Sequence, residues 1–119
     1  MYWRRFLPKN LGKKLPRKIK IVEVPVKEAK KLNFIYRERN KPANVLSFFY
    51  NSDYGEILVC PAIVRQEAQK QGHSFKYQMT WMILHGMIHL AGFHHEKSGK
   101  AAALVFQIEQ KMLKKLSRI

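Results

Sequence analysis

Residues 75–95 read FKYQMTWMILHGMIHLAGFHH, and this stretch decides the fold. Its first seventeen residues are apolar almost all round, which is typical of a helix in the middle of a domain. Ser74 is a suitable N-cap before this run, and Gly92 is a suitable stop after it. The pattern therefore predicts a central helix that begins after Ser74 and ends near Ala91.

Four of the chain's five histidines lie within or just after this helix, namely His85, His89, His94 and His95. His85 and His89 are four residues apart, so their imidazoles share one helix face and reach the same point. Gly92 lets the chain fold back, and a nitrogen of His94 or His95 then completes three corners of a tetrahedron. The fourth corner stays open for water, which is the arrangement of a catalytic zinc site. Imidazole also suits nickel, copper and iron.

A pair of histidines at this spacing also occurs without a metal, as hydrogen-bonded core or boundary residues. Here the pair lies among apolar neighbours such as Trp81, Met87 and Leu90. Burying two imidazoles without partners there would cost several kcal/mol. Because a metal ion removes that cost, we favour metal binding over a structural role.

The string His85-Gly86-x-x-His89 resembles the H-E-x-x-H signature of zinc metalloproteases. Glycine stands where the general-base glutamate is required, and glycine cannot accept a proton. Peptidase chemistry of the usual kind is therefore disfavoured.

The rest of the chain supplies a small sheet and further helices. Alternating and β-branched residues predict strands at 18–24, 44–50 and 56–60, the last two joined as a hairpin. Helical spacing predicts helices at 26–39, 61–71 and about 97–118. The inner stripe predicted for the last helix consists of Val105, Ile108, Met112 and Leu116. We therefore predict an α+β fold, with a mixed sheet of about three strands packed on three to four helices, the central one carrying the histidines.

Composition indicates a folded chain with a polyanionic partner. The chain has 119 residues, of which 46% are hydrophobic and 26% charged, so disorder is excluded and one domain is expected. Its 23 Lys and Arg residues against 8 acidic ones give a net charge of +15. Such an excess favours nucleic acid through phosphate neutralisation, with an anionic membrane surface or simple solubility as the alternatives.

Two further features bear on the cellular location. No run of about 18 apolar residues exists, so we expect no membrane-spanning segment and no membrane partner. Cys60 is the single cysteine, which excludes an internal disulfide and fits a cytoplasmic protein.

Positive charge is concentrated at the N-terminus. Residues 1–20 contain eight Lys and Arg residues and no acidic one. We predict a basic arm at residues 1–18, followed by a single domain at residues 19–119. Tyr2, Trp3 and Phe6 suit an arm that stacks on bases, although a solvated tail whose aromatic side chains dock on the core is an equal alternative. The candidate nucleic-acid contacts in the arm are Arg4, Arg5, Lys13 and Lys14.

The string His85-Gly86-x-x-His89-Leu90-x-Gly92-Phe93-x-His95 resembles the signature of the YbeY family of bacterial endoribonucleases. Three further segments agree in order and spacing, and they are Tyr36-Arg37, the PANVLSF stretch at 42–48 and Gly55-Glu56-Ile57. The resemblance covers roughly residues 19–116. It implies a metal-dependent, single-strand-specific endoribonuclease that hydrolyses RNA phosphodiester bonds in rRNA maturation and ribosome quality control. The implied partners are RNA, the small ribosomal subunit and ribosomal proteins.

The same resemblance implies a particular site. It selects His85, His89 and His95 as the ligands of one zinc ion per chain, and Arg37 as the functional arginine. Zinc lowers the pKa of the water it binds to about 7, and a guanidinium can bond two phosphate oxygens. Arg37 and the zinc-bound water are therefore the predicted catalytic groups. Ser47 either bonds a phosphate of the RNA or simply belongs to the strand.

The chain differs from the family pattern near the site. His94 stands where the family has Asp, Ala43 replaces a Thr, and Phe49 replaces a Pro. Two other functions stay open: a non-catalytic ribosome-assembly factor with structural zinc, and a metal-dependent hydrolase of another substrate such as a peptide. The missing base glutamate and the charge of +15 both oppose the second.

Overall fold

The computed structural model describes residues 13–92, 106–111 and 113–114, and within them three strands and four helices follow the predicted order. The strands are β1 (Lys18–Glu23), β2 (Val45–Phe49) and β3 (Tyr54–Val59). The helices are α1 (Val26–Arg37), α2 (Pro61–Gln71), α3 (Phe75–Leu90) and α4, which comprises the helical residues 106–111 and 113–114. The predicted α+β architecture is confirmed. Among these helices, none is both long enough and apolar enough to cross a membrane.

Strand β3 is the centre of the sheet. It pairs in parallel with β1 on one side and antiparallel with β2 on the other, so the sheet is mixed, with the order β1-β3-β2. The predicted hairpin of β2 and β3 is confirmed. Its turn is held by the Asn51 Oδ1, which accepts the backbone N–H groups of Asp53 at 2.8 Å and Tyr54 at 2.9 Å. Because the turn closes at Asp53, β3 begins at Tyr54, two residues before the predicted Glu56.

Helix α3 lies close against the sheet at Gly86. A Cβ atom at this position would lie 2.9 Å from Ile57 Cγ2 and 3.3 Å from Val45 Cγ2, so a larger residue would push the helix away. Leu84, Met87 and Ile88 of the helix are almost wholly buried. The helix therefore buries most of its circumference, as its sequence predicts.

The ends of the helices follow identifiable caps. The Ser74 Oγ accepts the N–H of Tyr77 at 3.1 Å, which confirms the predicted start of α3. Gly92 follows the end of α3 with a φ of 94°. Helix α1 ends at Arg37 rather than near Arg39, because Glu38 adopts a left-handed conformation with a φ of 58°. Glycine usually occupies such a position, so the sequence carries no mark of this helix end.

The described part of the predicted basic arm packs on the sheet. Leu15 and Pro16 are buried, and the Arg17 backbone N–H donates to the Ser52 carbonyl at 2.9 Å. The remainder of the predicted arm, with Tyr2, Trp3, Arg4, Arg5 and Phe6, lies outside the described residues.

Helix α4 turns an unexpected side chain inward. Glu109 is 3% exposed and Leu113 is buried, whereas Ile108 is only half-buried. Val105, Met112 and Leu116 of the predicted stripe lie outside the described residues. A search for apolar periodicity passes over a buried glutamate, because charged side chains are rarely found inside.

Candidate metal centre and adjoining groove

His85 and His89 lie one turn apart on α3, with ring centroids 4.3 Å apart and ring planes at 46°. Both side chains are half-buried. Imidazole nitrogen is a preferred ligand of zinc, so this pair fits two of the three predicted ligands. His95, the third predicted ligand, and His94, its alternative, lie outside the described residues. Within the described ranges, no three His, Cys, Asp or Glu side chains form a metal-binding group.

Glu109 joins the site from α4, and sequence reasoning missed it. Its Oε1 is hydrogen-bonded to the Nδ1 of His85, and its Oε2 accepts the indole N–H of Trp81 at 2.6 Å. The burial cost that favours a metal ion at His85 is therefore partly offset by this carboxylate. A signal was present in the spacing of Glu109 and Leu113, which places both on one face of the last helix.

Arg37 shares a cavity with the histidine pair. The cavity measures about 250 Å³, and its lining combines the end of α1, the start of β2, the middle of α3 and one residue of α4. Its lining residues are Arg37, Asn44, Val45, Trp81, Met82, His85, His89 and Glu109. The structure therefore brings together the arginine and two of the histidines that the sequence singled out.

Asn44 fixes one wall of this cavity. Its Nδ2 donates to the Glu67 Oε1 at 3.0 Å, and its Oδ1 accepts the backbone N–H of Val45 at 2.7 Å. The Asn44 carbonyl also accepts the N–H of Cys60 at 3.0 Å. These bonds attach the start of β2 to α2 and to the end of β3, so this part of the cavity lining is fixed to two other elements.

A larger groove of about 670 Å³ adjoins the cavity, and Arg37 and His89 line both. Tyr36 and Phe49 line the groove with exposed fractions of 62% and 54%. The Tyr36 ring packs edge-on against Phe48, with centroids 4.9 Å apart. The other lining residues are Lys14, Leu46, Ser47, Leu90, Ala91 and Gly92. Proteins that bind single-stranded nucleic acids combine cationic side chains, which contact the phosphates, with exposed aromatic rings, on which the bases stack.

A third cavity, of about 840 Å³, is also lined by Arg37. It carries the basic residues Arg39, Lys41 and Lys70 and shares Asn44 with the histidine cavity. Arg37 thus stands where three cavities meet.

Ser47, and also His73, which is the fifth histidine of the chain, have structural partners. The Ser47 hydroxyl donates to the Gly86 carbonyl at 2.8 Å. Since a hydroxyl has one hydrogen, this bond occupies the donor that a phosphate oxygen would need. The His73 Nδ1 lies 2.9 Å from the Gln78 Oε1, and its ring packs edge-on against Tyr77 at the beginning of α3.

Comparison with known proteins gives consistent matches. The sequence model of the family described as Endoribonuclease YbeY matches residues 4–117. An Endoribonuclease YbeY of Buchnera aphidicola is 32% identical over 127 residues, covering 98% of this chain and 80% of that protein. One from Pseudoalteromonas translucida is 39% identical over 97 residues, covering 76% and 63% respectively. The solution structure of TM1509 from Thermotoga maritima matches with a TM-score of 0.62 at 29% identity, covering 95% of this chain and 77% of that one.

Proposed function

Since the chain belongs to the YbeY family of endoribonucleases, we propose that it cuts single-stranded RNA with the help of one zinc ion, in rRNA maturation and ribosome quality control. The observation that carries this proposal is the shared cavity of Arg37, His85 and His89, which adjoins a groove with cationic and aromatic walls. The proposed partners are the small ribosomal subunit and its proteins, in the cytoplasm.

The zinc ion would be held by His85, His89 and His95. When bound, it would supply a Lewis acid and lower the pKa of a water molecule to about 7. The proximity of the first two rings supports this role, because imidazoles 4.3 Å apart can share one ion.

Arg37 would hold the scissile phosphate. Its guanidinium is always charged and can bond two phosphate oxygens at once, so it stabilises the negative charge that increases on them during cleavage. The left-handed Glu38 ends α1 directly after Arg37. A cation in the last turn of a helix interacts favourably with the helix dipole, and this interaction stabilises Arg37 at the end of α1.

The groove would hold the RNA strand that leads to the cavity. Lys14 can neutralise a phosphate, while Tyr36 and Phe49 offer ring faces to unpaired bases. Stacking of a base on an aromatic side chain contributes about 1–3 kcal/mol. Bases inside a duplex are already stacked on each other, so this groove favours single strands.

A comparison of histidine variants tests the proposal. We expect the purified protein to contain about one zinc per chain and to cut single-stranded RNA, with cleavage lost on adding a chelator and restored by zinc. His89→Ala should lose both zinc and cleavage. His73→Ala is the matched control, because His73 is bonded to Gln78 and lines neither the cavity nor the groove. A parent protein that takes up no zinc would overturn the proposal.

A second candidate is an assembly factor that binds RNA without cutting it. His94 supports this alternative, because the resemblance places an Asp there, next to the third ligand. A zinc-loaded protein that binds RNA and leaves it intact would establish it. Peptide hydrolysis has less support, since the position of the protease glutamate is Gly86, which packs against Ile57 of the sheet.

A further inference from the structure

The contact between Glu109 and His85 joins two helices that are far apart in sequence. His85 lies on α3 and Glu109 on α4, 24 residues later, and both line the cavity that contains Arg37 and His89. The inference drawn from this contact rests on the proposed zinc site and assigns Glu109 a role toward it.

Burial makes the pairing of this carboxylate necessary. The Glu109 side chain is only 4% exposed, and a buried carboxylate is strongly disfavoured unless its oxygens receive hydrogen bonds. Each oxygen has one such partner: Oε1 has His85 and Oε2 has Trp81. Trp81 and His85 are four residues apart on α3, so one helix face supplies both partners.

The chemistry of the two partners sets the histidine tautomer. An ionised carboxylate only accepts hydrogen bonds, so an ionised Glu109 requires the hydrogen of His85 on Nδ1. In a neutral imidazole the lone pair is then on Nε2, and this lone pair is what can bind a metal. The indole of Trp81 is a donor only and therefore holds the carboxylate in this orientation.

We propose that Glu109 is a positioning residue, which keeps His85 in the Nδ1–H tautomer and directs its Nε2 lone pair toward zinc, while Trp81 orients the carboxylate. A rival explanation is that the contact simply ties α4 to α3. The two explanations share the same hydrogen bond and differ in what they predict for zinc affinity, which a purely structural tie would leave unchanged in the folded protein.

The tautomer can be measured on the unsubstituted protein without metal. Long-range ¹H–¹⁵N correlation spectra of the zinc-free protein at a pH where His85 is neutral should show hydrogen on Nδ1. A His85 that carries its hydrogen on Nε2 would overturn the proposal, whatever the protein's activity.

The Glu109→Gln variant provides a second test of the positioning role. Because Trp81 can only donate, the new amide must turn its oxygen to Trp81 and its NH₂ group to His85, which forces the hydrogen onto Nε2. We expect the variant to bind zinc about 10–100-fold more weakly, measured by competition with a chromophoric chelator. Glu56→Gln, which removes a carboxylate outside the cavity, should bind zinc like the parent.

A double variant separates orientation from fold stability. In Trp81→Phe/Glu109→Gln the amide is free to turn its oxygen toward His85, so the Nδ1–H tautomer and part of the zinc affinity should return. If Glu109→Gln folds, as judged by circular dichroism, but keeps both tautomer and zinc affinity, the positioning role is wrong while the zinc site stands. If the parent binds no zinc at all, both the proposed zinc-dependent function and this role of Glu109 are wrong.

Discussion

The Ser47 hydroxyl donates a 2.8 Å hydrogen bond to the backbone carbonyl of Gly86, and this bond joins β2 to α3 directly beside His85. The same two residues are in close contact, since a Cβ at Gly86 would lie 3.1 Å from the Ser47 Oγ. The position of the histidine pair relative to the sheet thus depends on a glycine in the middle of a helix, where glycine is normally unfavourable.

Gly86→Ala should destabilise the protein despite its better helix propensity. Alanine gains about 1 kcal/mol within a helix, but overpacking against Ile57 and Ser47 costs about 1–3 kcal/mol. We expect a net loss of about 1 kcal/mol in the free energy of unfolding, measured by urea denaturation. A variant more stable than the parent would show that the helix can move away from the sheet without strain.

Substitution of Arg37 should separate catalysis from metal binding. Arg37→Glu places a carboxylate where the phosphate would bind, so we expect at least a hundredfold loss of RNA cleavage, roughly the effect of removing one transition-state donor. Zinc content should stay near that of the parent, because the predicted ligands are untouched. Arg37→Lys should recover only part of the activity, since an ammonium group cannot form the two-pronged contact.

The matched control for Arg37→Glu is Lys30→Glu, which makes the same charge change on an exposed position of α1. Lys30 lines none of the three cavities described above. Similar losses in the two variants would mean that Arg37 acts only through net charge.

Glu56 should make stability depend on pH in two separate ranges. Hydrogen bonds from Tyr54 and then Tyr50 lower its carboxyl pKa below 4.5, so its stabilising effect is present above that value and disappears as the pH falls through the lowered pKa. The same bonds raise the pKa of Tyr50 and Tyr54 above 10.0, so their contribution disappears as the pH rises through the raised values. Glu56→Gln should therefore unfold at lower urea concentration than the parent at pH 7, and the difference should shrink as the pH falls below 4.5 and through the lowered pKa of Glu56.

Glu23→Gln, which removes an exposed carboxylate from β1, is the control for this pH dependence. Equal effects of the two substitutions at pH 7 would attribute the change to net charge rather than to the tyrosine bonds.

The extent to which this fold could be predicted varies from one element to another. The helix α3 was predicted almost to the residue, because Ser74 and Gly92 mark its ends and its apolar run has no competing interpretation. The end of α1 could not be predicted as closely. Glu38 ends this helix in a left-handed conformation, and glutamate is not a residue that marks such a conformation in a sequence. The proximity of His85 and His89 follows from helix geometry alone.

The rest of the candidate site depends on contacts between distant segments. Glu109 reaches His85 across 24 residues, and local periodicity has no means of pairing them. Likewise, the position of Arg37 beside the histidines comes from the packing of α1 near β2, whereas the sequence identified it only through a family resemblance.

Phe49 should contribute to RNA affinity by stacking rather than by charge. The family resemblance places a Pro at this position, and Phe49 is 54% exposed in the groove that Arg37 also lines. Loss of one base-stacking contact costs about 1–3 kcal/mol, so Phe49→Ser should weaken binding of a single-stranded RNA by about 5–150-fold. Fluorescence anisotropy with a chelator present measures binding while the RNA stays intact.

The salt dependence of that binding identifies the type of contact. Phe49→Ser should leave the slope of log affinity against log salt unchanged, whereas Lys14→Ala should reduce its magnitude by about 0.7, the value for one phosphate contact on a single strand. Phe34→Ser is the matched control, since Phe34 is 58% exposed on α1 but does not line the groove. Equal weakening by both Phe variants would exclude a stacking site at Phe49 and leave the bound strand held by its phosphates alone.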